Sequence, residues 1–238
     1  MTPTDIAKAL IAAHQTGERA APPRTTLTRD AILSLQSEVC DALGSVAGFK
    51  VGATDGLPII APIPAIYVTQ NGAARSVRDA LGVELEVGFE LIKPLPAAEL
   101  PPKPEDYFRP VVVLELVETR LTGDAADDPL YKFADLQINA GMVVGDVMHG
   151  WNGSDFGELT ARLGTVERCV LDGATSVPGG SALAHLDLLL RHLGDHCGGL
   201  CVGQVAITGS VCGLPWFNAG DLVTGRIDGL GEVSIHLT

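Results

Sequence analysis

Strict alternation over residues 83–91 is the clearest pattern in the chain. Val83, Leu85, Val87, Phe89 and Leu91 fall on one face of an extended strand. Glu84, Glu86 and Glu90 fall on the other, with Gly88 among them. Glu84 and Glu86 would lie roughly 7 Å apart along that strand. At this spacing two carboxylates repel unless water, a proton or a divalent cation intervenes. The stretch therefore reads either as a half-buried strand with a solvated polar face, or as two oxygen ligands of a metal site.

The rest of the pattern is mixed. Residues 4–14 predict a helix with Thr4 as N-cap and a stripe of Ile6, Leu10 and Ala13. A second helix is predicted from near Thr28 to about Leu43, stopped by Gly44. Beyond Gly48, short β-branched runs alternate with Gly and Pro clusters and predict strands at 49–52, 66–68, 83–92, 111–119, 141–147, 205–210, 222–227 and 231–237. One more helix is predicted over 181–194, where Leu183, Leu186, Leu190 and Leu193 keep helical spacing. The Pro-rich stretch 94–104 reads as an exposed loop between strands. Many short strands with few helices predict an α+β fold without βαβ alternation. Residues 1–48 read as a helical cap packed on a β-rich domain over 49–238, the whole being small enough to count as one domain.

Composition narrows the function. The 238 residues are 46% hydrophobic, which supports a sizeable core. The net charge of −13 argues against nucleic acid and anionic membranes as partners, although a bound cation can locally reverse that potential for a small anionic substrate. No apolar run is long enough for a membrane helix, and the start lacks the basic and apolar regions of a signal peptide. Cys40, Cys169, Cys197, Cys201 and Cys212 are odd in number and irregularly spaced. They read as reduced thiols of a cytoplasmic protein; a zinc site from Cys197, Cys201, His192 and His196 lacks a second pair at matching spacing. Serine-hydrolase elbow, P-loop and zincin motifs are absent.

Several other residues need a reason. Glu115 sits in the apolar run 111–117, where a carboxylate is costly unless paired, and Arg120 is one candidate partner. Glu118, on the opposite face, reads as solvated or locally paired. Lys50 lies between Gly48 and Gly52 in a short strand, and on residue type alone it is an exposed strand lysine. Asp135 precedes the run 140–145 and suits a turn or cap. Gly209 and Ser210 end a strand, where a backbone N–H and a hydroxyl together suit either anion binding or a plain turn. His149 and Trp151 read as loop residues.

Taken in order, these pieces resemble the fumarylacetoacetate hydrolase superfamily, and within it the branch of 2-oxopent-4-enoate hydratases and 2-oxo-3-hexenedioate decarboxylases. The resemblance rests on Lys50-Val51-Gly52, Glu84-Leu85-Glu86, Glu115 to Arg120, Ala134-Asp135 leading to Gly145, Thr208-Gly209-Ser210, Gly220-Asp221, and the run 229–234. It implies a mixed β-roll with flanking helices and an N-terminal helical segment. It implies Mg²⁺ or Mn²⁺ held by Glu84, Glu86 and Glu115, with Lys50 and Asp135 as catalytic residues. Gly209, Ser210 and Lys50 would bind a small 2-oxo acid. The expected activity is hydration of a 2-hydroxy-2,4-dienoate in aromatic catabolism. Decarboxylation of a 2-oxo-3-hexenedioate, acylpyruvate-type C–C hydrolysis and a non-catalytic acid-binding role are the alternatives. A homo-oligomer is expected by the same analogy. Three departures stand out. The connection after Gly52 is short and holds Asp55, Leu136 replaces an Asn after the Ala-Asp pair, and Ser181 stands where a His is usual.

Overall fold

The structure, a computed structural model, describes residues 3–22, 24–54 and 57–238. Two helices come first, α1 (Pro3–Thr16) and α2 (Arg29–Leu43). The Thr28 hydroxyl accepts a hydrogen bond from the Ala31 N–H at 3.3 Å, and Gly44 ends α2 at φ 100°. Strands β1 (Val46–Thr54), β2 (Leu57–Pro64), β3 (Val68–Gln70), β4 (Ala74–Arg75), β5 (Ala80–Leu91) and β6 (Phe108–Val117) follow. The short helices α3 (Asp124–Asp127) and α4 (Pro129–Ala134) lead into β7 (Asn139–Val147). Strands β8 (Glu158–Gly164) and β9 (Cys169–Ser176), helix α5 (Ala182–Leu193), and strands β10 (Val205–Ser210), β11 (Trp216–Asn218), β12 (Leu222–Ile227) and β13 (Gly231–Leu237) complete the order.

The strands form two sheets. The larger runs β2-β1-β10-β5-β6-β7-β3, with β11 added to the end of β5, and the smaller runs β4-β13-β12-β8-β9. β5 is the middle strand of the larger sheet, which explains its length and burial. Its apolar face carries Val83, Leu85, Val87 and Phe89 into a core shared with Leu186 and Leu190 of α5 and with Val223 and Ile235 of the smaller sheet. The sheets approach closely enough that a Cβ on Gly225 would lie 2.8 Å from Leu85 Cδ1. The carboxylate face of β5 is not solvated. Val111, Val113, Met142, Val205 and Ile207 make a second apolar cluster there, and Gly88 lets it close, since a Cβ at that position would lie 2.8 Å from Val113 Cγ2. The N-terminal helices share a third cluster with Leu121, Tyr131, Phe133 and Leu136 of the β6–β7 connection.

Some predicted elements move. The strand expected at 66–68 is a 3₁₀ turn followed by β3. The stretch after Gly52, read as a loop, is mostly strand: β1 runs to Thr54 and β2 begins at Leu57, while Asp55 and Gly56 lie outside the described residues. Pro58, Pro62 and Pro64 disguise β2, yet it is an edge strand, where a missing N–H costs no ladder bond. β8 and β9 escape the sequence pattern because Thr, Ser, Gly and charged residues dominate this sheet edge. Pro101 and Pro104 of the Pro-rich stretch are buried, not exposed. All five cysteines are free thiols. No helix among the described residues is long and apolar enough to cross a membrane.

The parallel β1–β10 contact positions Lys50, and it depends on Gly48. A Cβ there would sit 2.0 Å from the Val205 carbonyl oxygen, whereas one on Gly52 meets nothing within 4 Å. Gly48→Ala is therefore expected to cost about 2–3 kcal/mol, read as a lower urea midpoint at unchanged m-value, while Gly52→Ala stays near wild type. Equal midpoints for the two variants would contradict this packing.

Candidate metal centre

The β5–β6 register sets Glu84 directly opposite Glu115, and the β10–β5 register sets Ser210 opposite Glu86. One carboxylate oxygen from each of Glu84, Glu86 and Glu115 lies within 4.8 Å of the other two. Among the described residues this is the one His/Cys/Asp/Glu group so arranged, so the Cys197–His196 region forms no such cluster. Glu86 and Glu115 are buried and Glu84 is half-buried. Glu115 Oε1 accepts hydrogen bonds from Lys50 Nζ and from Asn139 Nδ2, the latter at 2.8 Å. The Gly141 N–H, donated to Asn139 Oδ1 at 2.9 Å, fixes the orientation of that amide. Glu115 Oε2 is buried with no partner among the described residues. Glu86 Oε2 accepts the Gly209 N–H at 2.6 Å.

One ammonium faces three carboxylates. Burial and the Glu115 charge push Glu84 up to about 7, against the pull of Lys50 and Ser210. Burial, then Glu115 and Glu84, raise Glu86 well above the usual carboxylate range. Burial works against the Lys50 ammonium, but Glu115, Glu84 and Glu86 outweigh it and raise its pKa. The polypeptide alone leaves the cluster under-compensated. Three hard oxygen donors and an orphaned buried oxygen fit a hard divalent cation such as Mg²⁺ or Mn²⁺, and among the described residues no Cys or His joins the group to favour zinc. The glutamates open on a cavity of about 200 Å³ whose wall includes Lys50, Ala53, Ile59, Gln137 and Ser210.

No family model matches the chain, and no curated protein sequence matches it. Solved structures do match. 4-Oxalocrotonate decarboxylase from Pseudomonas putida G7, complexed with magnesium and adipate, is 18% identical with a TM-score of 0.79, covering 99% of this chain and 97% of that one. 2-Hydroxyhepta-2,4-diene-1,7-dioate isomerase from Mycobacterium marinum is 15% identical with a TM-score of 0.57, covering 81% of this chain and 75% of that one. Fumarylpyruvate hydrolase from Pseudomonas aeruginosa, in complex with Mn²⁺ and pyruvate, is 17% identical with a TM-score of 0.55, covering 80% and 88%. The chain has the fumarylacetoacetate hydrolase fold.

Within this fold, Lys50, Gly209 and Ser210 meet the three glutamates at one cavity. Lys50 is no exposed strand lysine, since only 15% of its side chain is accessible. Gly209 does not offer its N–H to the cavity, because Glu86 takes it. At φ 104°, with Pro178 Cγ 2.9 Å from where a Cβ would stand, the position needs glycine. Ser210 donates its hydroxyl to the Gly213 carbonyl at 2.6 Å. Asp135 is not in the cavity wall. Its carboxylate is buried and accepts bonds from Thr119 Oγ1 and from Arg120 N and Nε, at 3.1, 2.9 and 2.7 Å. Arg120 is thus the partner of Asp135, and Glu115 pairs with Lys50. Glu118 pairs with Arg19 and Glu90 with Arg109. Trp151 is buried, stacked on Phe156 and against Phe89, while His149 is exposed.

The sequence reading missed Gln137 and Asn139. Leu136, Gln137 and Ile138 all adopt positive φ, between 50° and 53°. This is costly for non-glycine residues and most of all for a β-branched one. The turn is held by Ile138 N–H to Asp135 O (2.7 Å), Glu118 N–H to Ile138 O (3.0 Å) and Arg120 Nη2 to Asp135 O (2.8 Å). It carries Gln137 to the cavity wall, where its buried Oε1 has no partner among the described residues and its carbonyl accepts from Lys50 Nζ at 3.4 Å. The sequence signal was faint: two polar residues alternating with Leu136, Ile138 and Ala140 where the turn runs into β7.

The Lys50–Glu115 pair can be weighed directly. In metal-free protein at neutral pH, Lys50→Met should cost about 3 kcal/mol by leaving a buried carboxylate unpaired. Adding Glu115→Gln should restore part of that loss, giving a coupling above about 1 kcal/mol in a urea-unfolding double-mutant cycle. Strict additivity would mean that the two groups do not compensate each other.

Proposed function

We propose that the chain is a divalent-metal-dependent lyase of the fumarylacetoacetate hydrolase superfamily, acting on a small 2-oxo or 2-hydroxydienoic acid. The observation that carries this reading is the convergence of three glutamate oxygens within 4.8 Å, beside Lys50 and at the mouth of a cavity. Glu84, Glu86 and Glu115 would hold Mg²⁺ or Mn²⁺. Bound there, the ion supplies Lewis acidity toward a 2-oxo acid. Lys50, kept as an ammonium by the carboxylate it contacts, enters as a hydrogen-bond and proton donor at Nζ, not as a base. Gln137, on the cavity wall, would offer its side-chain amide to the substrate. Ile59 and Ala53 give the cavity an apolar wall that limits water. Asp135 acts at one remove, as a positioning residue that holds the turn bearing Gln137.

Two lyase chemistries compete, and a different observation favours each. A pocket of about 200 Å³, open at its mouth, is on the scale of a small ligand. That suits 2-hydroxypenta-2,4-dienoate and hydration. The full-length likeness to a decarboxylase, against about four-fifths for an isomerase and a hydrolase, supports decarboxylation of a 2-oxo-3-hexenedioate over isomerisation and C–C cleavage.

The test is to follow the ultraviolet absorbance of 2-hydroxypenta-2,4-dienoate with and without Mg²⁺, and CO₂ release from 2-oxo-3-hexenedioate. Metal-dependent loss of the dienoate without CO₂ identifies a hydratase; metal-dependent CO₂ release identifies a decarboxylase. A protein that turns over neither compound and binds no Mg²⁺ at millimolar concentration is a non-catalytic holder of the fold. Glu115→Gln should lower Mg²⁺ affinity at least 100-fold by calorimetry while the circular dichroism spectrum is kept. Gln137→Leu should raise KM about tenfold, the equivalent of one hydrogen bond, with metal affinity unchanged. A Glu115→Gln variant that binds Mg²⁺ normally would refute the ligand assignment.

A further inference from the structure

A second cavity, of about 150 Å³, lies between α1 and the larger sheet and shares no lining residue with the glutamate cavity. His14, Arg19, Tyr67, Arg75, Glu118 and Arg120 line it. Their charges are unevenly met. Arg19 takes Glu118 at 3.3 Å, and Glu18, also on the wall, pairs with Arg78 at 3.6 Å. Arg120 commits its Nε and Nη2 to Asp135. Arg75 contacts no carboxylate among the described residues; Glu118 acts on it only at longer range. Its guanidinium donates only to two backbone carbonyls, Ala140 O at 2.7 Å and Tyr67 O at 3.3 Å, and packs over the Tyr67 ring. Burial lowers the Arg75 pKa; the Glu118 and Tyr67 groups work against that, and the Arg120 guanidinium adds a smaller lowering. His14 adds a donor. Its Nδ1 meets the Tyr67 hydroxyl at 2.9 Å, and its Nε2 is buried with no partner among the described residues. Burial, helped by Arg120, holds the imidazole neutral, with its pKa lowered to about 3.

A half-buried guanidinium without a close carboxylate and an orphaned ring nitrogen at one cavity are together unfavourable, and a single kind of ligand answers both. We propose that this cavity binds a compact oxyanion, a short carboxylate or inorganic phosphate, held by the Arg75 guanidinium and by an N–H at His14 Nε2. The hydrogen needed at Nε2 follows when the Tyr67 hydroxyl donates to Nδ1, so an anion selects that tautomer. The volume leaves room for acetate or phosphate. The occupant would lie against Thr119 and Arg120, the residues whose bonds to Asp135 hold the turn that carries Gln137.

The wild-type protein, ¹⁵N-labelled and kept in EDTA, is titrated with acetate and separately with phosphate, against sodium chloride at matched ionic strength. The His14 Nε2 resonance, assigned by its absence from His14→Gln, should move saturably with one or both oxyanions and not with chloride. The arm that saturates identifies the source, and Mg²⁺ should not be required, which separates this site from the glutamates. Arg75→Met should weaken the response at least tenfold, and Arg75→Lys should weaken it less. A His14 signal that neither oxyanion moves, or one that moves equally in folded Arg75→Met, would overturn the proposal. The wild-type titration decides even if the arginine variants do not fold.

Discussion

The carboxylate of Glu115 is the constraint around which the rest is arranged. It stands fully buried in the centre of a sheet, opposite Glu84 and close to Glu86. Two charges at 4 Å interact by about 4 kcal/mol at an effective dielectric constant of 20. Three acids against one ammonium therefore leave a substantial deficit. The chain meets part of it with Lys50, Asn139 and the Gly209 N–H, each directed at a specific oxygen. It leaves Glu115 Oε2 without a partner among the described residues. A sheet evolved for stability alone would place an apolar residue at such a position, as it does at Val113 and Val117 on either side of it.

That constraint reaches outward through the elements it needs. Lys50 arrives on β1 because β1 runs parallel to β10, and the approach requires Gly48. Asn139 arrives on β7 directly after a turn of three left-handed residues, a conformation that has to be held from outside. The holder is Asp135, buried, bonded by Thr119 and by the backbone and side chain of Arg120. Burial raises the Asp135 pKa and Arg120 works against that rise, which is the behaviour of a structural pair in a dry interior. The N-terminal helices pack their apolar face on the same β6–β7 connection. They thus contribute to the site without reaching it.

The sequence was informative where one residue's neighbours along the chain are also its neighbours in space. Strict alternation located β5 and separated its faces. Thr28 and Gly44 marked both ends of α2, and β10, β12 and β13 fall at the positions that their β-branched runs indicate. It failed where the partner is remote or the backbone is unusual. Nothing local tells that Arg120 turns to Asp135 while Lys50, 65 residues earlier, reaches Glu115. Nothing in Leu136-Gln137-Ile138 announces left-handed backbone, because none of the three favours it. The prolines of β2 signalled a break, and only the sheet order shows that an edge strand tolerates them.

The same division bears on specificity. On the proposed function, three glutamates and a lysine would provide for a metal and for proton donation, and they are blind to which bond of the substrate changes. Hydration, decarboxylation and C–C cleavage of 2-oxo acids could each begin from that set. What distinguishes one member of the fold from another must therefore lie on the remaining wall, here Val51, Ala53, Ile59, Gln137 and Ser210. Of these, only Gln137 combines a buried polar atom in want of a partner with a backbone conformation that costs free energy to maintain. Expense of that kind, in a turn that adds nothing to the core beyond Leu136, is best explained by what its side chain meets in the cavity.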